Sequence, residues 1–291
     1  MKSIKYIICA VLAAALYALN APFSKILLTG VEPRMMAAML YLGAGVGTFI
    51  VLNVKKLCFG KRDGGEKLER RDMPYVLGMI FLDIAAPVFL MMGLMESSAA
   101  NASLLNNFEI VATSLIAFVL FREKIGRRLW AGILLVTLSS MILSFEDVSA
   151  FSFSRGSLFV ILACVCWGFE NNCTRSLSNK DPIVIVVIKG IFSGLGAFIT
   201  AIVSGESLPG VRFVIPALLL GFVAYGLSIV FYIYAQRGLG AARTSAYYAV
   251  APFIGAALSF AVLSESLTVT FGVGLAVMMV GTWLVTFGQK E

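Results

Sequence analysis

Apolar stretches of helical spanning length follow one another along this chain, separated by short polar interruptions. They cover residues 4–25, 34–54, 73–95, 99–121, 127–145, 156–177, 182–204, 212–236, 241–263 and 268–287, each close to the ~20 residues that cross about 30 Å of hydrocarbon as a helix. The pattern predicts an all-α membrane protein with ten transmembrane helices. The first stretch also resembles a secretory leader, with Lys2 and Lys5, an apolar core and small residues behind it. Its polar end argues for retention as a span. Tyr17–Lys25 (YALNAPFSK) lies over Trp167–Arg175 (WGFENNCTR), aromatic on aromatic and cation on cation.

That echo is part of a longer one. Ser97–Glu123 returns as Leu239–Glu265, which places Ala99 on Ala241, Ala100 on Ala242, Ser103 on Ser245, Phe118 on Phe260 and Glu123 on Glu265, with Gly132 on Gly274 beyond. Glu32-Pro33 corresponds to Asp181-Pro182, each proline standing where a helix begins, and Gly45, Gly47 and Phe49 correspond to Gly194, Gly196 and Phe198. The glycines are read as helix-packing positions. The expected organisation is two halves, residues 1–147 and 154–288, each a repeat of five helices. Five crossings leave the chain on the opposite side, so the second repeat inserts upside down relative to the first. The loop charges agree: 122–128 is rich in Lys and Arg, whereas its counterpart 264–270 has none. Inverted repeats are the architecture of alternating-access carriers, with the cargo site near the bilayer midplane.

Composition narrows the class further. Hydrophobic residues make up 59% of the chain and charged residues 13%, with a mean hydropathy of +0.93, far from a soluble domain. The net charge of +7 is concentrated by a single loop, Lys55–Arg71, with seven Lys/Arg among Asp63, Glu66 and Glu69. A cytoplasmic loop beside anionic lipid headgroups explains that run better than a nucleic-acid surface. Counting Lys and Arg by loop puts Lys2, Lys5, the 55–71 run, the 122–128 group, Arg175, Lys180, Arg237, Arg243 and Lys290 on one side. Only Lys25, Arg34, Arg155 and Arg212 fall on the other. The expectation is an integral protein of the plasma (bacterial inner) membrane with both termini cytoplasmic. Five Cys without a CxxC, and no His at all, predict neither a metal site nor a cofactor.

The chain resembles the drug/metabolite transporter superfamily in its ten-span form with two EamA-type halves. The residues that carry the resemblance are the aromatic-to-cation endings Tyr17–Lys25 and Trp167–Arg175, the paired Glu123 and Glu265, and the Gly132 and Gly274 helices that follow. It covers essentially the whole chain. The resemblance implies secondary transport, by efflux or exchange, of small metabolites such as amino acids. One departure stands out: span two carries Leu40 and Tyr41 where a family member commonly has an Arg, while the counterpart span keeps Lys189.

Ionisable groups at mid-bilayer each need a reason, because insertion costs about 2.5–3.5 kcal/mol. Asp83 in span three and Glu109 in span four fall at similar depths on consecutive, antiparallel helices. They are candidates for a proton-coupling or cation-recognising pair, since a carboxyl in that setting can release its proton to one side and regain it from the other. The plainer alternative is a satisfied polar contact, for example of Asp83 with Ser98 or an Asn amide. Glu170 and Lys189 share a depth on spans six and seven and are expected to form a structural ion pair. Around them Asn20, Asn106, Asn171, Trp167, Tyr225, Tyr247 and Tyr248 are candidate cargo-binding residues, as amides and phenols orient a polar ligand while their apolar bodies line a cavity. Each could equally serve helix packing. Pro87 and Pro252 are expected inside spans, where they permit bending.

The sequence reading is therefore a secondary active transporter, exporter or exchanger, of small polar metabolites such as amino acids or amines, with protons as a possible coupling ion and a monomer or homodimer in membrane lipid. Three buried acids against one Lys tilt the cavity toward cationic or zwitterionic cargo. A flippase of lipid-linked intermediates would want basic residues for phosphate, against the acidic midplane. A membrane enzyme is disfavoured by the absence of His, HExxH and GxSxG, and the absence of GxxxxGK[ST] speaks against ATP-driven transport. A scaffold or sensor leaves the mid-depth carboxylates without a purpose.

Overall fold

The computed structural model describes residues 2–59, 66, 68–122, 126–147, 152–177, 180–239, 244 and 247–288. Among them it is helical almost throughout: α1 Lys2–Ala18, α2 Asn20–Leu27, α3 Pro33–Phe59, α4 Met73–Glu96, α5 Ala99–Leu105, α6 Phe108–Phe121 and α7 Arg127–Ser144 in the first half. The second half holds α8 Arg155–Ser176, α9 Pro182–Ile188, α10 Gly194–Val203, α11 Val211–Gly221, α12 Ser228–Leu239, α13 Ala251–Leu263 and α14 Val269–Gly288. A short antiparallel hairpin, β1 Phe145–Asp147 with β2 Ser152–Phe153, links the halves. Nine of the helical stretches are long and apolar enough to cross a membrane. The expected ninth span is represented by α13, which is shorter, and residues 241–243, 245 and 246 at its start lie outside the described residues. So do Glu123, Lys124, Lys290 and most of the 60–67 stretch.

Pro33 and Pro182 open α3 and α9, where a missing N–H leaves no bond unmade. The expected smooth spans are nonetheless interrupted. Span one breaks at Leu19, span four at Asn106 and Asn107, and span nine at Ala249 and Val250, each with backbone bonds tightened to three-residue spacing. Spans seven and eight widen instead into π-helix over Lys189–Ser193 and Phe222–Leu227. Pro252, expected inside a span, stands in the first turn of α13, because the break at Val250 starts a new helix there. Pro87 does lie inside α4. Irregular backbone at membrane depth is tolerated where protein or a cavity satisfies it, and π segments gather at functional sites.

Packing between the halves obeys a two-fold relation. Span three (α4) lies along span six (α8), and the exchanged pair, span eight (α11–α12) and span one (α1), also pack. Spans two and seven, four and nine, and five and ten each meet their own counterpart, as α3 on α9–α10, α5 on α13, and α7 on α14. The crossing of spans two and seven requires glycine on both sides. A Cβ on Gly45 would strike the backbone of Gly190 and Ile191, and one on Gly190 would strike the backbone of Gly45. Two helices approach this closely only without side chains at the contact.

The ends of the bundle are tied by polar caps. Glu265, just past α13, accepts the backbone N–H groups of Ala99 and Ala100 at 2.7 and 3.0 Å and so satisfies the first turn of α5. Lys25 donates to the carbonyls of Leu94 and Ser97 at the end of α4, where the helix dipole favours a cation. Glu206 accepts from the backbone of Arg34 and Met35 at 3.3 and 2.8 Å and pairs with the Arg34 guanidinium at 3.1 Å. In the repeat register, Glu123 stands to Ala241 and Ala242 as Glu265 does to Ala99 and Ala100, but those residues lie outside the described set. Replacing Glu265 with alanine leaves two N–H groups without their acceptor and is expected to lower stability by about 1–2 kcal/mol. A fall in Tm of the purified protein, largely restored by Asp at the same position, checks it.

Candidate functional site

The buried charges gather where the two halves face each other. The Lys189 ammonium, at the first residue of the π segment of span seven, lies 3.1 Å from Asp83 Oδ2 on α4 and 3.0 Å from Glu170 Oε1 on α8. Asp83 and Glu170 are 0% and 1% exposed, so among the described residues these two carboxylates share Lys189 as their cation. Each has a further donor. Tyr41 OH donates to Asp83 Oδ1 at 2.8 Å, and the Thr174 hydroxyl donates to Glu170. Trp167 Nε1 in turn donates to Tyr41 OH at 3.4 Å. The Asp83–Lys189–Glu170 cluster thus joins α3, α4, α8 and span seven, elements of both halves.

Glu109 sits apart from this cluster. The sequence placed Asp83 and Glu109 on neighbouring helices, but α8, which carries Glu170, packs against both α4 and α6. In the fold, Asp83 meets Lys189 rather than Glu109. The Glu109 carboxylate, in the first turn of α6, accepts instead from Asn171 Nδ2 at 2.7 Å, and the same amide lies 3.2 Å from Thr113 Oγ1.

A set of tyrosines forms a contiguous aromatic wall. Tyr225, in the π segment of span eight, meets Tyr17 edge-on at 5.8 Å and Tyr41 at 5.4 Å between ring centroids. Tyr248 meets Tyr17 at 5.8 Å and Tyr232 at 5.0 Å. Asn20 Nδ2 donates to Tyr225 OH at 3.0 Å, and its carbonyl accepts from Ser24 at 3.0 Å. Asn106 lines a small cavity with Tyr17, Asn20, Ser103 and Pro252, between the helix breaks of spans one, four and nine. Tyr247, at 36% exposure, stands at the periphery and does not join the network.

Sequence reasoning passed over several residues that the fold brings in. Tyr41 bears on both the ion cluster and the aromatic wall, and Thr113, Thr174 and Tyr232 complete the contacts. Tyr41 had one signal, its place in span two opposite the cation-bearing stretch of span seven. Thr113 and Thr174 had none, because a hydroxyl four residues from a carboxylate is common on any helix. Removing the Tyr41 hydroxyl (Tyr41→Phe) takes a hydrogen bond from a charged, buried acceptor and is expected to cost about 1.5–3 kcal/mol, read as a lower Tm.

The bundle is unequally closed around this polar centre. Toward the end of the bundle near α5, Ala99, Ala100, Leu104, Leu90, Met91 and Leu94 are 0–1% exposed, beneath the caps of Lys25 and Glu265. Toward the other end, Glu109, Thr113, Asn171, Thr174, Tyr232 and Tyr248 are only partly buried. A polar centre between two five-helix halves, closed at one end, defines a membrane transport protein. Sequence comparison agrees. The model of the EamA-like transporter family matches residues 4–145 and 154–287, and the chain belongs to that family, as a transporter and not an enzyme. It is 24% identical to an uncharacterized transporter of Methanothermobacter thermautotrophicus, over 96% of this chain and 85% of that protein. It is 21% identical to the uncharacterized transporter YyaM of Bacillus subtilis, over 58% of this chain and 59% of that one. One solved crystal structure superposes with a TM-score of 0.71 at 15% identity, covering 100% of this chain and 98% of its own, a likeness of fold.

Proposed function

We propose that this protein is a secondary active transporter, an exporter or exchanger, of small polar organic solutes with cationic or zwitterionic character, amino acids or amines. The observation that carries the reading is the arrangement of three carboxylates and one ammonium between the halves, two of the carboxylates wholly buried and Glu109 partly so. Charges at that depth are expensive and face a cargo or ion path by default. Glu109 and Asp83 are the coupling carboxyls of this reading, with Glu109 the principal one because Lys189 already neutralises Asp83. Asn20, Asn106, Trp167, Glu170, Asn171, Tyr225 and Tyr248 are the cargo-contacting set, Tyr247 standing outside it at the periphery, and the Glu170–Lys189 pair is structural. The repeats are taken as 1–147 and 154–288, inverted in the plasma membrane with both termini cytoplasmic, as the excess of Lys and Arg on one side supports. The partly exposed end of the chamber is then the cytoplasmic one, and alternation consists of rocking one half against the other.

The test begins with a thermal-shift screen of purified protein against amino acids, amines and nucleosides, because a ligand that binds the folded state raises its Tm. Hits are then measured for counterflow in proteoliposomes. Stabilisation by a small polar solute that is also exchanged supports the reading; counterflow by none of the stabilising solutes overturns it.

A further inference from the structure

The charge arrangement discriminates between the two cargo classes just named. Of the described Lys and Arg residues, Lys189 alone lies within the chamber; every other one stands at a helix end or in a loop. Its ammonium is shared between Asp83 and Glu170, at 3.1 and 3.0 Å. A carboxylate on a cargo molecule would therefore meet no uncommitted cation here. It would meet the partly buried Glu109 carboxylate, beside a sealed cluster of two carboxylates and one ammonium, in a medium where like charges repel strongly. Glu109 is in the opposite position. Its one hydrogen-bond partner among the described residues is the neutral amide of Asn171, so an ammonium group placed beside it gains a full charge-assisted contact. One turn before Glu109, Asn106 shares a small cavity with Tyr17, whose ring meets those of Tyr225 and Tyr248; tyrosine faces attract a cation and their edges pack an apolar body.

From this geometry we propose that the cargo is an organic amine without a carboxylate: a primary ammonium on an aromatic or alkyl body. The ammonium sits on Glu109 and the Thr113 hydroxyl, and the body packs on Tyr17, Tyr225 and Tyr248. The chamber excludes the corresponding amino acid, because Lys189 is already occupied. The proposal rests on the carrier reading only for the word cargo; as a statement about what the chamber binds, it stands by itself.

Pairs that differ by a single carboxylate test it: tyramine against tyrosine, phenethylamine against phenylalanine, agmatine against arginine. The full-length protein in nanodiscs is titrated with each, with Tm and intrinsic tryptophan fluorescence as readouts, and the same pairs are offered for counterflow. At least one amine is expected to bind about a hundredfold more tightly than its amino acid, the scale of a buried like-charge mismatch. Glu109→Gln should abolish amine binding, and Glu109→Asp, which keeps the charge, should retain part of it. An amino acid that binds as well as its amine overturns the proposal. So does amine binding that survives in a folded Glu109→Gln protein, or the failure of all three amines to bind. Amine binding without counterflow removes the carrier reading and leaves the ligand class standing. Counterflow of amino acids without amine binding does the reverse.

Discussion

Replacing Lys189 with methionine is expected to cost the folded protein about 3–5 kcal/mol, the scale for removing one member of a buried ion pair. The ammonium lies about equally far from Asp83 and Glu170, and both carboxylates are almost wholly removed from solvent. Their remaining donors, Tyr41 and Thr174, supply one hydroxyl each, too little to hold two negative charges 0–1% exposed. Methionine fills a similar volume, so the loss is electrostatic rather than a cavity. Detergent-solubilised Lys189→Met should show a sharply lower Tm or little folded yield. Combining it with Asp83→Asn and Glu170→Gln removes the unpaired charges, and a well-packed neutral cluster is often as stable as the ion pair it replaces. Recovery in the triple variant is the diagnostic result. A Lys189→Met protein as stable as the parent would mean the three groups do not depend on one another.

The second large effect falls on transport, not stability. Glu109→Gln keeps the size of the side chain and an acceptor for Asn171 Nδ2, so Tm should change little. It removes the single chamber carboxylate that has no cation beside it among the described residues, and with it the ability to take up and release a proton. In proteoliposomes, solute movement driven by a pH gradient should fall to the level of protein-free liposomes. Undiminished gradient-driven flux would remove Glu109 from the coupling role. The equivalent change at Asp83 should act through stability as well, because Asp83→Asn leaves Lys189 with one carboxylate and Tyr41 without a charged acceptor.

Some of this site is legible in one dimension and some is not. Lys189 and Glu170 could be matched because both sit near the same distance from the short loop joining their helices, and such a loop fixes relative depth. Asp83 and Glu109 also matched in depth, yet they do not touch. Depth along a helix is set by counting residues, whereas lateral neighbours are set by how helices pack, and here α8 packs against both α4 and α6. The same limit hid Tyr41, which meets Asp83, Trp167 and Tyr225 only because spans two, three, six and eight converge. The breaks at Leu19, Asn106–Asn107 and Ala249–Val250 were equally concealed. A hydropathy pattern records that a segment is apolar, not whether each carbonyl finds its partner.

From sequence by itself came the membrane class, the all-α fold, the duplicated halves and the candidate charges, because hydrocarbon admits only long apolar helices and makes every buried ion conspicuous. The tertiary structure alone decided which charges pair with one another and which, among the described residues, has no cation bonded to it. Partners in a helical bundle come from lateral packing across the two-fold between the halves, and spacing along the chain carries no record of it.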